Sequence, residues 1–214
     1  TLYLVSTPIG NKLDISLRAQ NVLSSVDFIL CEDTKKSGIL LKDIGVKNKL
    51  ISYHDHTNVS KVNHFLKLLK EGASLAIISD AGTPLISDPG YELVAKAIDE
   101  QIKVTSIPGP SAVISGLISS GLSTNSFVFE GYVPKKMGQL EEFLKNLKYE
   151  MKTIVLFESP KRIERLLHMI VKILGPKRKV SLAKELTKKF ERVITDEAKE
   201  IYELIKIDET LKKG

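Results

Sequence analysis

Small, polar and acidic residues are concentrated in seven short segments, each directly after an apolar run of the sequence. Glycine lets a backbone approach a ligand closely, and the main chain of such a loop offers hydrogen bonds to it. Carboxylates in the same loops can accept hydrogen bonds from hydroxyl groups or hold a cationic centre. The pattern therefore predicts a ligand-binding site built from residues 7–11, 32–34, 54–56, 80–84, 108–112, 130–134 and 158–160.

Asp80 is the acid best placed for chemistry, because it follows the apolar run Leu75–Ile78. A carboxylate at the end of a central strand can bind ribose hydroxyls or a cationic ligand centre. The alternative is a turn residue that organises the backbone around Gly82. We favour the binding role because the atypical loop continues through Thr83 to Gly90, and loops of this kind often carry function.

Glu32 and Asp33 are the candidates for removing or orienting a proton, because both are carboxylates that follow the apolar run Phe28–Cys31. Asp33 or Thr34 could instead cap the N-terminus of the next helix, and the two interpretations stay open. Cys31 has no histidine partner in the sequence, so we expect a buried small hydrophobe rather than a nucleophile.

Motifs that the sequence lacks disfavour several cofactors. No Gly-x-Gly-x-x-Gly follows the first strand, and no Gly-x4-Gly-Lys-Ser/Thr occurs anywhere, so dinucleotide and P-loop sites are not expected. His54-Asp55-His56 is the one metal-like cluster. No third close ligand follows it, so we favour a polar loop there and expect no metal.

Short apolar runs alternate with longer amphipathic segments, which predicts an α/β fold with largely parallel sheets. Strands are predicted at residues 2–6, 27–31, 50–53, 74–79, 103–107, 126–132, 153–157 and 180–184. Helices are predicted at residues 16–24, 36–44, 59–70, 91–100, 111–120, 139–148, 163–174 and 197–205. Ligands bind beyond the carboxyl ends of parallel strands, so the seven polar segments are expected to share one rim.

The segment Ile107-Pro108-Gly109-Pro110 predicts a domain boundary, because it can continue neither a strand nor a helix. We expect an N-terminal α/β domain over residues 1–108 and a C-terminal α/β domain over residues 109–214, with a cleft between them. Residues 1–110 hold 12 basic and 12 acidic side chains, whereas residues 111–214 hold 20 and 14. This excess predicts an anionic partner for the second half, and lysines that merely solvate helices explain it equally well.

The composition is that of a globular protein, with 43% hydrophobic and 27% charged residues among 214. No apolar run reaches the roughly 18 residues of a membrane-spanning helix, and no secretory signal is visible at the N-terminus. The single cysteine can form no internal disulfide, which fits a reducing compartment. We therefore expect a cytoplasmic protein that does not engage a membrane.

Five of the loop motifs stand in an order that resembles one family. The chain resembles the small-subunit ribosomal RNA methyltransferase I branch of the tetrapyrrole methylase superfamily, and the resemblance covers residues 2–195. The segment from Ser79 to Gly90 is its most specific match. The motifs are Thr7-Pro8-Ile9-Gly10-Asn11, Cys31-Glu32-Asp33-Thr34, Ser79-Asp80-Ala81-Gly82-Thr83-Pro84-Leu85-Ile86-Ser87-Asp88-Pro89-Gly90, Ile107-Pro108-Gly109-Pro110-Ser111-Ala112 and Phe157-Glu158-Ser159-Pro160-Lys161-Arg162-Ile163.

The resemblance implies S-adenosylmethionine in a cleft between two α/β domains, usually in a homodimer. It also implies 2′-O-methylation of a cytidine ribose in the decoding region of 16S rRNA, and therefore the small ribosomal subunit as partner. The cofactor residues that carry over are Pro8, Gly10, Asp80, Ala81, Gly82, Thr83, Ser111, Ala112, Leu156, Phe157 and Ala183.

Two positions depart from the family pattern on the substrate side. Lys35 stands where the family commonly has arginine, so the charge is kept and the bidentate fork is lost. Asn11-Lys12-Leu13-Asp14 lacks a glycine that the family commonly shows. Family members also often run longer, so a C-terminal extension beyond residue 214 is left open.

RNA is expected to bind basic residues near the predicted rim, through phosphate contacts that weaken with salt. The predicted substrate residues are Lys35, Lys135, Lys136, Lys161 and Arg162. Two other functions remain as alternatives on the same fold, namely a tetrapyrrole or other small-molecule methyltransferase and a non-catalytic RNA-binding assembly factor.

Overall fold

The computed structural model describes residues 1–54 and 57–213. The chain divides into two compact units, Thr1–Ser111 and Ala112–Gly214. The predicted boundary after Pro108 falls shortly before this division.

The first unit is built on a five-stranded sheet with the strand order β3-β2-β4-β1-β5. Every pairing in it is parallel, as the alternation of strands and helices predicts. The four residues of β4 are all buried, which fits a central strand covered on both faces. The strands are β1 (Leu2–Val5), β2 (Phe28–Cys31), β3 (Leu50–Ser52), β4 (Leu75–Ile78) and β5 (Val104–Ile107).

Helices cover both faces of this sheet and define two hydrophobic cores. One core gathers side chains of α1 and α2 and the other gathers side chains of α3 and α4. In α3 the buried residues Val62, Phe65, Leu66 and Leu69 follow the helical period, and Asn58 caps the first turn by accepting from Lys61 N. The helices are α1 (Leu17–Ser25), α2 (Thr34–Asp43), α3 (Val59–Lys70) and α4 (Tyr91–Asp99), with a 3-10 turn at Lys12–Asp14.

The second unit contains two small sheets rather than one. Strands β6 (Phe127–Tyr132) and β7 (Thr153–Phe157) are parallel, with an irregularity between Phe129 and Gly131. Strands β8 (Lys179–Lys184) and β9 (Arg192–Glu197) form an antiparallel hairpin. The helices are α5 (Ala112–Ser119), α6 (Met137–Asn146), α7 (Ile163–Ile173) and α8 (Ala198–Ile207), followed by a 3-10 turn at Glu209–Lys212.

The predicted α/β class with largely parallel sheets is confirmed, and β9 is the main element that the sequence analysis missed. Both ends of β9 are charged, at Arg192 and Glu197, so the segment lacks the apolar run that identified the other strands. The pairing with β8 places Ile194 opposite Leu182 and Val193 opposite Ala183, which gives the hairpin an apolar centre. Among the described residues, no helix has the length and apolar character needed to cross a membrane.

The core of the second unit should depend strongly on Leu144, which α6 buries completely among side chains of α7. We expect Leu144→Ala to lower the free energy of unfolding by about 2–5 kcal/mol, through lost burial and the cavity that remains. The matched control is Met151→Ala, because Met151 is 94% exposed in the same unit. Urea denaturation measures both, and an equal effect of the two substitutions would contradict this description of the core.

Candidate active site

A two-way backbone bridge joins the loops that follow β1 and β4. Thr7 N donates to Gly82 O at 2.9 Å, and Gly82 N donates to Thr7 O at 3.0 Å. The Thr7 hydroxyl donates to Ser79 O at 3.1 Å, and the Ser79 hydroxyl donates to Gly82 O at 2.9 Å. Thr7 and Ser79 are buried, so these bonds satisfy polar groups that water does not reach.

The loop after β5 joins the same cluster through Thr83. The Thr83 hydroxyl donates to Pro110 O at 3.1 Å and accepts from the Ser6 hydroxyl at 3.3 Å. Gly109 lies so close to the end of β1 that a Cβ atom there would stand 2.9 Å from Ser6 Cβ. The segments that carry Pro8, Gly82 and Ser111 are therefore brought together at one edge of the sheet.

Gly82 occupies a position that only glycine fits without strain. Its φ of +90° is one that L side chains rarely adopt. A Cβ atom there would also lie 3.2 Å from Ile9 Cγ2, across the bridge between the two loops. Pro8 and Gly82 thus belong to a loop pair held at short range, whereas Gly10 lies at the exposed end of the first loop.

The Asp80 carboxylate, in the loop after β4, uses one of its two oxygens in a hydrogen bond. Oδ2 accepts a hydrogen bond from Lys36 Nζ at 2.9 Å, and this bond and the charge of Asp80 raise the pKa of Lys36. Oδ1 is buried and has no hydrogen-bond partner among the described residues. A buried acceptor without a partner is costly, so this oxygen is suited to a hydroxyl or ammonium donor of a ligand.

Lys36 is a residue that the sequence analysis did not single out. It lies in the first turn of α2, and its backbone N–H donates to Asp33 Oδ1 at 3.1 Å. The cap therefore fixes the start of the helix whose lysine reaches Asp80. The sequence separation of 44 residues between Lys36 and Asp80 gave no local signal for the pair.

Asp33 has the capping role that the sequence left open. Its Oδ1 accepts from Lys35 N at 2.8 Å as well as from Lys36 N. Those two backbone hydrogen bonds lower the pKa of Asp33, which makes it a weaker base. Glu32 is exposed at the end of β2 and stays the candidate for proton removal. Lys35 is exposed beside it.

Cys31 is buried, as expected from the sequence, and burial raises the pKa of its thiol. It lines a small depression at the carboxyl ends of β2 and β4, together with Glu32, Tyr53, Ser79 and Pro89. A thiol kept protonated by burial is a poor nucleophile. Cys31 is therefore a lining residue of the depression rather than a nucleophile.

The predicted cofactor residues of the second unit lie on three of its elements. Ala112 is the first residue of α5, Leu156 and Phe157 end β7, and Ala183 lies in β8. A Cβ atom on Gly116 of α5 would lie 3.8 Å from Ala183 Cβ, so α5 packs against the hairpin. The assignment of Leu156, Phe157 and Ala183 to the adenosine pocket, and of Ala112 to the cofactor segment before them, stays a prediction.

The predicted RNA-binding residues divide into two kinds. Lys135, Lys136 and Lys161 are exposed and available to an anionic partner. Arg162 instead pairs with Glu158, through Nε at 2.8 Å and Nη2 at 2.5 Å from the same carboxylate oxygen. The side chain of Glu158 is only 2% exposed, so Arg162 serves first as the counterion of a buried carboxylate.

No metal centre emerges from the described part of the chain. Residues 1–54 and 57–213 contain no group of three or more His, Cys, Asp or Glu side chains that could hold a metal ion. Of the His54-Asp55-His56 cluster, Asp55 and His56 lie outside the described residues.

The sequence matches one family model and several curated proteins over most of its length. The model describes tetrapyrrole (corrin/porphyrin) methylases and matches residues 1–202. A protein of Mesorhizobium japonicum is 46% identical over 194 residues, covering 91% of this chain and 66% of its own length. Proteins of Escherichia coli O157:H7 and Streptococcus pyogenes serotype M1 are 42% and 45% identical, and each match covers 100% of this chain and 74% of the relative. All three are named ribosomal RNA small subunit methyltransferase I.

Solved structures share the fold at low sequence identity. A cobalt precorrin-4 methyltransferase superposes with a TM-score of 0.69 at 16% identity, covering 99% of this chain and 91% of its own. A uroporphyrin-III-C-methyltransferase of Thermus thermophilus gives a TM-score of 0.60 at 17% identity, with 95% and 85% covered. At this identity the likeness establishes the architecture alone.

Removal of the Arg162 side chain should destabilise the protein, because it leaves the Glu158 carboxylate buried without its counterion. We expect Arg162→Met to lower the free energy of unfolding by about 3 kcal/mol, measured by urea denaturation. Lys161→Met is the control, since Lys161 is exposed and should change stability by less than about 0.5 kcal/mol. The double variant Glu158→Gln with Arg162→Met should recover part of the loss. A single variant as stable as the parent would show that the pair is dispensable.

Proposed function

This chain belongs to the tetrapyrrole (corrin/porphyrin) methylase family, and we propose that it transfers a methyl group from S-adenosylmethionine to the 2′-hydroxyl of a cytidine ribose in 16S rRNA. The observation that carries the proposal is the joining of three loops of the first unit around Thr7, Gly82 and Pro110. The choice of RNA as acceptor is supported by relatives at 42–46% identity named for the small ribosomal subunit.

The residues of the first unit fit an adenosyl cofactor. Asp80 Oδ1 is a buried acceptor that lacks a partner, and both ribose hydroxyls and the methionine ammonium are donors. The main chain of the two bridged loops offers further hydrogen bonds at close range. The cofactor residues proposed here are Pro8, Gly10, Asp80, Ala81, Gly82, Thr83 and Ser111, with Ala112, Leu156, Phe157 and Ala183 contributed by the second unit.

When bound, the cofactor supplies a methyl group attached to a positively charged sulfur, and the carbon of that methyl group is already a strong electrophile. The chain itself then has to align the ribose hydroxyl and help it to lose its proton. Glu32 is the residue proposed for the proton, because it is exposed at the strand end while Asp33 is engaged as a helix cap. No step of this chemistry requires a metal ion.

Substrate capture is assigned to exposed basic side chains. Lys35 lies in the first turn of α2, and Lys135, Lys136 and Lys161 are exposed in the second unit. That half of the sequence carries the whole excess of positive charge, with 20 basic and 14 acidic residues over 111–214. Contacts with RNA phosphates are consistent with such an excess. We infer that the enzyme acts in the cytoplasm on the small subunit, as a homodimer.

The experiment that tests the acceptor is mass mapping of methylated nucleotides after incubation of the protein with tritiated S-adenosylmethionine and unmodified 30S subunits. We expect one labelled 2′-O-methylcytidine in 16S rRNA. Naked 16S rRNA and a uroporphyrinoid are the comparison acceptors. Labelling of the porphyrinoid alone would indicate a small-molecule methyltransferase. Binding of the cofactor without methyl transfer to any acceptor would favour a non-catalytic assembly factor.

The cofactor assignment is tested separately by Asp80→Ala. Loss of a charge-assisted hydrogen bond should weaken the binding of S-adenosylmethionine about tenfold or more, measured by isothermal titration calorimetry. Asp99→Ala is the matched control, because Asp99 is an exposed acid of the same unit at the end of α4. Unchanged affinity in the Asp80 variant would remove this carboxylate from the cofactor site.

A further inference from the structure

The turn of the β8–β9 hairpin, residues 185–191, is ordered by its own hydrogen bonds. Lys188 N donates to Glu185 O at 2.9 Å, and Glu191 N donates to Lys188 O at 3.1 Å. The Thr187 N–H donates to the Glu191 carboxylate, and Lys188 Nζ pairs with Glu185 Oε1 at 2.6 Å. The turn is thus built before any partner arrives, which lowers the entropy cost of binding through it.

The backbone of this turn adopts conformations that residues with side chains rarely take. Glu185 has a φ of 51° and Thr187 has a φ of 66°. Thr is β-branched, so a positive φ there is a strained conformation that the surrounding bonds must hold. A backbone outlier of this kind is a reason to look for a function of the side chains that the turn presents.

The two apolar side chains of the turn are used in opposite ways. Leu186 packs towards α5, where a Cβ atom on Gly116 would lie 3.8 Å from Leu186 Cδ1. Phe190 is 70% exposed, and Lys189 Nζ lies over its ring at 5.5 Å from the centroid. The turn is therefore anchored by Leu186, and it presents the ring of Phe190 to solvent beside a cation.

The charges around Phe190 favour an anionic partner. The segment from Lys184 to Arg192 has four basic and two acidic side chains, within the half of the sequence that holds the excess of positive charge. Glu185 is paired with Lys188, Arg192 is paired with Asp208, and the Glu191 carboxylate accepts from the Thr187 N–H. Lys189 is the basic side chain of the turn that none of these ion pairs includes. Lys189 is exposed and stands over the ring, next to where a ligand that covers the ring would lie.

We propose that Phe190 is a stacking platform for an unpaired nucleobase of the RNA substrate, with Lys189 beside the adjoining phosphate. An aromatic ring flanked by lysine is the recurring device for single-stranded nucleic acid, because every base has a π-face and every nucleotide a negative charge. The inference rests on the proposed function and deepens it: it assigns a contact with an unpaired base of the RNA substrate. A single exposed ring is too small to anchor a protein partner or a bilayer by apolar burial.

The chain contains no tryptophan, so Phe190→Trp installs a fluorophore at the proposed contact. Titration with a mixed-sequence single-stranded RNA oligonucleotide should quench its emission, since a stacked base is an efficient quencher. The same RNA annealed into a duplex should quench much less, because its bases are already stacked. Tyr149→Trp is the matched control: Tyr149 is 83% exposed elsewhere in the same unit and should respond to neither RNA.

Binding measurements on other Phe190 variants separate stacking from apolar contact. Phe190→Ala and Phe190→Leu should lower the affinity for single-stranded RNA by about tenfold, measured by fluorescence anisotropy. Phe190→Tyr should retain the affinity of the parent protein. Affinity for S-adenosylmethionine should stay unchanged in all of them, which also shows that the variants are folded.

Two results would overturn the stacking role. The first is a pair of observations: single-stranded RNA binds the Phe190→Trp variant in anisotropy without quenching its tryptophan, and the Phe190→Ala variant binds the RNA as tightly as the parent protein. The second is a blue shift on phosphatidylserine vesicles with no response to RNA, which would indicate a membrane contact. Failure of the parent protein to methylate 30S subunits would refute the proposed function instead, and the RNA titration remains readable in that case.

Discussion

The bridge between Thr7 and Gly82 is the constraint on which the site of the first unit depends. Two reciprocal backbone hydrogen bonds, at 2.9 and 3.0 Å, hold the loops after two neighbouring parallel strands against each other. Hydrogen bonds from the hydroxyls of Thr7 and Ser79 satisfy the buried carbonyls around this bridge. Glycine suits position 82 because L side chains rarely adopt a φ of +90° and because a Cβ atom there would crowd Ile9 Cγ2 at 3.2 Å.

The charge arrangement beside these loops depends on α2, the helix that Asp33 caps. Its carboxylate caps α2 and so places Lys36, one turn on, beside Asp80. One oxygen of Asp80 is thereby neutralised and the other is left buried without a partner. Glu158 Oε2 is likewise buried without a partner, so what distinguishes Asp80 is its place beside the bridged loops, where a ligand donor could satisfy it.

The sequence predicted the parts of the molecule that depend on local pattern. The strand ends at Cys31 and Ile78, and the helix of residues 59–70, follow from apolar periodicity and were found closely. Gly, Pro and acids at strand ends also gave a local signal for the loops after β1, β2, β4, β5 and β7, whereas residues 130–132 of the predicted segment 130–134 lie within β6. The strand Arg192–Glu197 was missed because its pairing with β8, not its own composition, makes it a strand.

Side-chain pairs between elements could not be predicted in the same way. Lys36 and Asp80 meet only because α2 and the loop after β4 are brought together by the fold. Arg162 was predicted to bind RNA because its ion pair with the buried carboxylate of Glu158 was not recognised. The i,i+4 spacing of Glu158 and Arg162 was the available signal for that pair.

Hydrogen exchange of backbone amides can establish whether the bridged loops of the first unit bind the cofactor. S-adenosylmethionine should slow the exchange of amides within residues 7–11, 80–84 and 109–112. Binding of the cofactor with unchanged exchange in all three segments would show that it lies elsewhere.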